Sequence, residues 1–228
     1  MMMKVVIFDV KGKIAHFRRP DTTATHLTYP FITPTAAKGL VGSILGITDF
    51  VTKDKVGIQL LNPVRTSAQQ LSMLGKDSGN SFNRPTTIEL LVNPAYRIYY
   101  AGDEYTDELI NRLKMEQSVY IPYLGVAYAL TKPELRDVSD AVEISSPETI
   151  TLSTVIPTSI IEKVELEAGR YYRRAGGFML EYKGRRIFEK SVSFLYERDG
   201  KPITIKLRKN ISDDFTLVKV KDDAVCLV

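Results

Sequence analysis

The chain holds two histidines, His16 and His26, and one cysteine, Cys226, so few of its side chains can move a proton near neutral pH. A single thiol excludes an internal disulfide and a cysteine-based zinc site. No GxxxxGK phosphate loop, HExxH pair, GxSxG nucleophile elbow or EF-hand loop occurs. The remaining acid–base chemistry lies between residues 13 and 29. There His16, His26 or Tyr29 could take the proton of an RNA 2′-hydroxyl while Lys13 steadies the charged phosphorus centre. Beside Arg18, Arg19 and several threonines the same residues suit phosphate binding better than cleavage. The expectation is a binding protein with no catalytic residue, no cofactor and no metal; a metal-independent endoribonuclease is the alternative.

The basic residues are interleaved with aromatic ones. In KGKIAHFRRP, residues 11–20, the cations Lys11, Lys13, Arg18 and Arg19, with His16, bracket Phe17. A ring so placed can stack on an unpaired base while its neighbours neutralise phosphate, and strand alternation would set Lys11, Lys13 and Ala15 on one face. The most basic stretch is GRYYRRAGGFMLEYKGRRIFEK, residues 169–190, where Arg173, Arg174, Arg185 and Arg186 stand with Arg170, Lys183 and Lys190 against Glu181 and Glu189 alone. Its Gly176-Gly177 pair lets the backbone approach a ligand and turn N–H groups toward an anion. In TYPFITPTAAKGLVG, Thr35 and Lys38 open a helix whose first N–H groups suit a phosphate, and Gly39 and Gly42 leave one side bare. Each pattern also has a plain structural reading: a core Phe, a charged hairpin, close helix packing. A further candidate is GKDSGNSFNRP, residues 75–85, where Phe82 and Arg84 sit among turn formers with no pattern that offers the ring a core.

The elements that must position these residues can be read in outline. Residues 3–17 are β-branched and alternating, with a bend at Gly12, and residues 18–33 form an extended loop. A helix follows from about Pro34 to Leu45, with Thr33 as N-cap and Gly46 as its stop. Residues 55–73 read as a strand broken at Asn62-Pro63, TTIELLV and AYRIYYA as two more, and GKDSGNSFNRP as a long loop tip between strands. DEYTDELINRLKME places Leu109, Ile110 and Leu113 on one face of a second helix, and YLGVAYAL and residues 138–144 supply further strands. Strand, helix, strand, strand, helix, strand is the ferredoxin-like order. The expected fold is α+β, with a ferredoxin-like domain over residues 1–146 and an antiparallel β-rich lobe over 147–228.

At 228 residues and 44% hydrophobic content the chain can bury a sizeable core, and a formal charge of +4 permits a polyanionic partner without requiring one. No segment of about 18 uninterrupted apolar residues occurs, so the expectation is a cytoplasmic protein with no membrane partner.

Residues 17–46, FRRPDTTATHLTYPFITPTAAKGLVGSILG, followed by VGIQLLNPVR, VNPAYRIYY and YIPYLGVAYAL, resemble the CRISPR-associated family-five proteins. The most specific positions are Thr28, Tyr29, Pro30, Pro34, Thr35, Gly39, Leu40, Gly42, Leu45 and Gly46, with Pro122 to Gly125 as a second element. The wording is most similar to subtype I-B or I-A members. The resemblance implies an RRM-related domain of the repeat-associated mysterious protein superfamily, with a β-hairpin thumb over residues 75–85. It implies a non-catalytic subunit of Cascade that caps the crRNA at its 5′ handle. The implied partners are that crRNA, the backbone and large subunits, and target DNA indirectly. The Lys-His dipeptide expected of the RNA-cutting branch is absent.

Overall fold

The computed structural model of the protein describes residues 2–77, 79–145 and 147–228. The first part of the chain runs β1 (Met2–Lys11), β2 (Ile14–Ala15), α1 (Pro34–Leu45), β3 (Lys55–Leu60), β4 (Thr66–Asp77), β5 (Asn80–Val92), β6 (Ala95–Ala101), α2 (Thr106–Lys114) and β7 (Glu134–Glu143). It continues through β8 (Thr149–Leu152), β9 (Ile156–Pro157), β10 (Ile161–Val164), β11 (Tyr172–Tyr182), β12 (Phe188–Glu197), β13 (Ile203–Leu207), β14 (Thr216–Val220) and β15 (Asp223–Leu227).

The apolar run of β1 is continuous because both of its faces are covered. Val6, Phe8 and Val10 point into the main core with α1 and α2, while Val5 and Ile7 join Tyr99, Val218, Val225 and Leu227 in a second cluster. Six strands order as β15-β14-β7-β1-β6-β3, and every pair is antiparallel. The two outer ends meet: Val56 and Val228 exchange backbone hydrogen bonds of 2.9 and 3.0 Å. The sheet therefore curls round the second cluster and its edges satisfy one another. Asp9 interrupts the apolar run and is 7% exposed. Arg97 Nε at 2.9 Å and Arg136 Nε at 2.6 Å neutralise it from the two flanking strands.

Local signals fix the helices. Ala36 N–H donates to Thr33 Oγ1 at 3.1 Å, Pro34 occupies the first turn, and Gly46 ends α1 with φ of 84°. A side chain at Gly42 would come within 2.8 Å of Phe50 Cβ, so this glycine serves close packing, whereas one at Gly39 would meet nothing within 4 Å. α2 carries Asp107 and Glu108 in its first turn and Arg112 and Lys114 in its last, matching its dipole.

Two sequence expectations are corrected. Residues 75–85 are not a long loop, because β4 and β5 pair without interruption from Thr66↔Leu91 to Asp77↔Asn80. Exposed strands whose scattered apolar residues, Met73, Leu74 and Phe82, follow no alternation carry no period to reveal them. The stretch 123–130 forms a turn closed by a single Tyr123↔Leu130 bridge, not a strand. Gly125 there has φ of 82° and lies against the His16 carbonyl, where a Cβ would come within 2.1 Å of the oxygen.

Beyond residue 147 the chain is β-rich and antiparallel. It forms the sheets β10-β13-β8 and β11-β12-β9 before β14 and β15 extend the first sheet. Cys226 lies buried in β15, where desolvation pushes its thiol up to about 12. No helix among the described residues is long and apolar enough to cross a membrane.

Candidate nucleic-acid interface

The loop between β2 and α1 is drawn onto β11. Tyr29 N–H donates to the Phe17 carbonyl at 2.7 Å, and Tyr29 Oη donates to the Gly177 carbonyl. Phe178 lies 4.4 Å from the Tyr29 ring and 4.9 Å from the Phe31 ring, centroid to centroid. The register of β11 against β12 slips between Ala175 and Phe178, so Gly176-Gly177 forms a bulge, with Gly177 at φ of 79°. This packing docks the loop after β2 on the bulge of β11, and Lys38 of α1 and Arg186 of the turn after β11 border a common cleft.

Ion pairing then sorts the cations. Lys11 pairs with Glu134, Arg19 with Asp21, Arg170 with Glu167, Lys183 with Glu181, and Lys190 with Glu181 and Asp214. The Glu181 carboxyl, between Lys183 and Lys190, falls to about 2. Among the described residues, Lys13, Arg18, Lys38, Arg84, Arg173, Arg174, Arg185 and Arg186 form no salt bridge. Their charge is uncommitted, and all of them except Lys38 are exposed. Arg185 and Arg186 turn the chain with φ of 50° and 62°, directly after Gly184 at 87°. Left-handed backbone costs a side-chain-bearing residue about 1–2 kcal/mol, so the turn holds two cations in a conformation the chain does not favour.

Three further expectations from sequence are corrected. Phe17 is 4% exposed and packs edge-on against Tyr96, so its ring is a core element and presents no face to a base. His16 is 4% exposed, with its Nδ1 2.8 Å from the Glu89 carbonyl that accepts from it. Lys11, Lys13 and Ala15 do not share a face: β1 ends at Lys11, the chain turns through Gly12, and Ala15 is fully buried while both lysines are exposed. Burial lowers His16 below its ordinary range, against the pull of the Glu89 carbonyl. Desolvation first, then the charges of Arg18, His16 and Arg84, lower His26 as well. Both imidazoles are thus kept neutral and beside positive charge, the reverse of what an acid needs but compatible with a nearby phosphate.

Phe82 lies across Gly75 on the opposite strand, where an added Cβ would come 2.8 Å from the ring, and it remains 48% exposed. The ring shields the bare backbone of its partner and offers its other side outward. Arg84 follows on the same ribbon, where residues 80–85, and residues 72–74 opposite 83–85, are exposed.

Lys38, Thr35, Gly39 and Arg186 border one cleft, together with Thr48, Tyr182 and Phe188. The last three carry no sequence expectation as site residues. The signal for two of them was the aromatic interleaving of the basic stretch, whereas nothing local marks Thr48.

The mostly-β α+β fold is shared with CRISPR-associated proteins of known structure. One, the crystal structure of a CRISPR protein from Archaeoglobus fulgidus, is 12% identical, with a TM-score of 0.56 over 99% of this chain and 98% of that one. Another, a chain of a CRISPR RNA-guided surveillance complex, is 11% identical, with a TM-score of 0.57 over 89% of this chain and 91% of its own. At such identities the likeness is one of fold. No curated protein matches the chain significantly. Residues 5–127, just over half of the sequence, match the family model Cas_Cas5d, CRISPR-associated protein (Cas_Cas5). The chain belongs to the Cas5 family of CRISPR-associated proteins.

Proposed function

We propose that the protein is a non-catalytic crRNA-binding subunit of a type I surveillance complex that caps the repeat-derived 5′ handle, working in the cytoplasm beside backbone and large subunits. The observation that carries this is the cluster Arg173, Arg174, Arg185 and Arg186, four exposed cations that form no salt bridge among the described residues and are gathered in the one β11–β12 hairpin. Cations left without internal partners are free to replace the counterions of a polyphosphate. The sheet order β7-β1-β6-β3, with α1 and α2 as its crossovers, supports reading residues 1–146 as a ferredoxin-like unit. On that reading the β4–β5 ribbon is an insertion between the second and third strands of the unit and acts as the thumb. The strands after residue 147 are the lobe that carries the arginines, and target DNA is met only through the paired guide.

The decisive experiment is to purify the native protein with whatever accompanies it and sequence the bound RNA. A common repeat-derived 5′ leader is expected, and fragments with unrelated ends would remove the reading. Repeat RNA incubated with the purified chain should survive intact. A discrete product that disappears in the His16→Ala, His26→Ala variant would replace this function with precursor processing.

A further inference from the structure

A cleft of about 410 Å³ opens between the exposed side of α1, the loop that leads from α1 to β3, and the turn joining β11 to β12. Small-ligand sites span roughly 300–1,000 Å³. Lys38 comes to it from the helix and Arg186 from the turn, and neither is in a salt bridge among the described residues. Tyr182 and Phe188 form an aromatic wall, their ring centroids 5.2 Å apart, and Phe188 is 44% exposed. Thr35 and Thr48 add hydroxyl groups. The cleft is preformed, since Tyr182 Oη donates to the Asp49 carboxylate and so latches the turn to the loop. At Gly39 the helix wall is bare, with nothing within 4 Å of where a side chain would begin.

We propose that this cleft holds one nucleotide of single-stranded RNA out of the stack, its phosphate on Lys38 and Arg186 and its base against Phe188. The proposal rests on the RNA-binding reading above and adds the place where a single base is taken. A bare phosphate site has no use for the aromatic wall, and a site for an apolar molecule has no use for two unpaired cations. Burial draws the Lys38 ammonium down to about 8, although Asp54 and Glu181 act to raise it. A bound phosphate would supply the close counter-charge that the fold does not.

The test uses Gly39→Leu, which fills the cleft from its open wall, and Phe188→Ala, which removes the base platform. Each is measured by thermal unfolding and by anisotropy with a fluorescent single-stranded RNA. Competition with AMP, GMP, CMP, UMP and inorganic phosphate identifies what the cleft reads. Both variants should keep the wild-type Tm and lose RNA affinity about tenfold, within the range for one base–aromatic stack. At least one nucleoside monophosphate should compete better than inorganic phosphate. If both variants bind RNA like the wild type while Arg173→Glu, Arg174→Glu weakens it, the cleft is not on the RNA path and the proposal falls alone. If phosphate competes as well as every nucleotide, the cleft reads an anion and no base, which also overturns it. A wild-type chain that binds no RNA removes this proposal and the function together. Should Gly39→Leu unfold, Gly39→Ala and Phe188→Ala carry the test.

Discussion

Neutralising Arg173, Arg174, Arg185 and Arg186 together to Gln isolates the electrostatic part of RNA binding. None of the four has an internal ionic partner among the described residues, and all are exposed, so their loss strands no buried charge. Surface changes of this kind usually stay within about 0.5 kcal/mol of the parent stability. Gln also keeps a side chain at the left-handed positions 185 and 186, so the turn is no more strained than before. Each phosphate contact on a single strand contributes about 0.7 to the slope of log affinity against log salt, so losing one contact per arginine lowers the slope by about 2.8. Between about 50 and 200 mM salt the wild type should therefore lose about 50-fold more affinity than the variant. Filter binding or anisotropy across that series reads the difference directly. Lys190→Gln is the matched control, since Nζ already lies 2.6 Å from Glu181 and 2.6 Å from Asp214, and its slope should stay at the wild-type value. If the quadruple variant keeps the wild-type slope, or if Lys190→Gln changes it as much, internal pairing is the wrong criterion for finding the RNA surface.

Lys38, faced by Asp54, Glu181 and Lys55, has its ammonium drawn down from 10.5 to about 8 by burial. RNA affinity at fixed salt should fall as pH rises through 8 and stay level in Lys38→Arg. Because the folded state releases this proton before the unfolded chain does, the Lys38 contribution to stability should rise between about 8 and 10.5, opposite in sign to the binding effect. Gly125→Ala meets the His16 carbonyl at 2.1 Å with φ of 82°, a backbone contact that cannot yield, so Tm should drop by about 5–10 °C. Gly39→Ala, with open space around it, should hold or raise Tm, and equal losses at the two positions would contradict the packing described. Phe82→Ala should leave global Tm unchanged, speed amide exchange opposite Gly75, and weaken assembly on guide RNA about 5- to 150-fold if the ring stacks on a base. Faster exchange with unaltered assembly would confine the ring to shielding its partner strand.

What could be read in the sequence was local chemistry. Thr33, Pro34 and Gly46 bound α1 by capping and by φ, and the acids and bases of α2 follow its dipole, so both helices were legible within a few residues. The β4–β5 ribbon was not, because the few apolar residues of its outer half, Leu71, Met73, Leu74 and Phe82, are scattered among polar ones without a sustained period of two. Residues 123–130 are apolar enough for a strand, and the left-handed turn at Gly125 that forbids one depends on the distant His16 carbonyl. The same divide runs through the site. Phe17 fits a stacking platform and a core ring equally well until Tyr96 is placed beside it. Which cations are free depends on partners far along the chain: Lys11 is paired by Glu134 and Lys190 by Asp214.

In the proposed RNA-binding role, the curled sheet directs the search for the binding surface to the insertions. A ferredoxin-like RNA-recognition module commonly stacks bases on its open sheet face, through aromatic residues on the central strands. On the ferredoxin-like reading proposed above, that face carries Val5, Ile7 and Tyr99, none more than 6% exposed, because β14 and β15 continue the sheet until Val228 meets Val56. The chain also lacks the Lys/Arg-Gly-Phe/Tyr-Gly/Ala-Phe-Val run that would place aromatics on such a face. With the sheet turned inward, the surfaces left for a polyanion are those the basic stretches build: the β11–β12 hairpin, the first turns of α1 and the β4–β5 ribbon. The uncommitted arginines lie on the first of these, and because their side chains are exposed while Phe178, Val192 and Phe194 of the same hairpin face the core, removing them should cost RNA binding without the folded core registering the change.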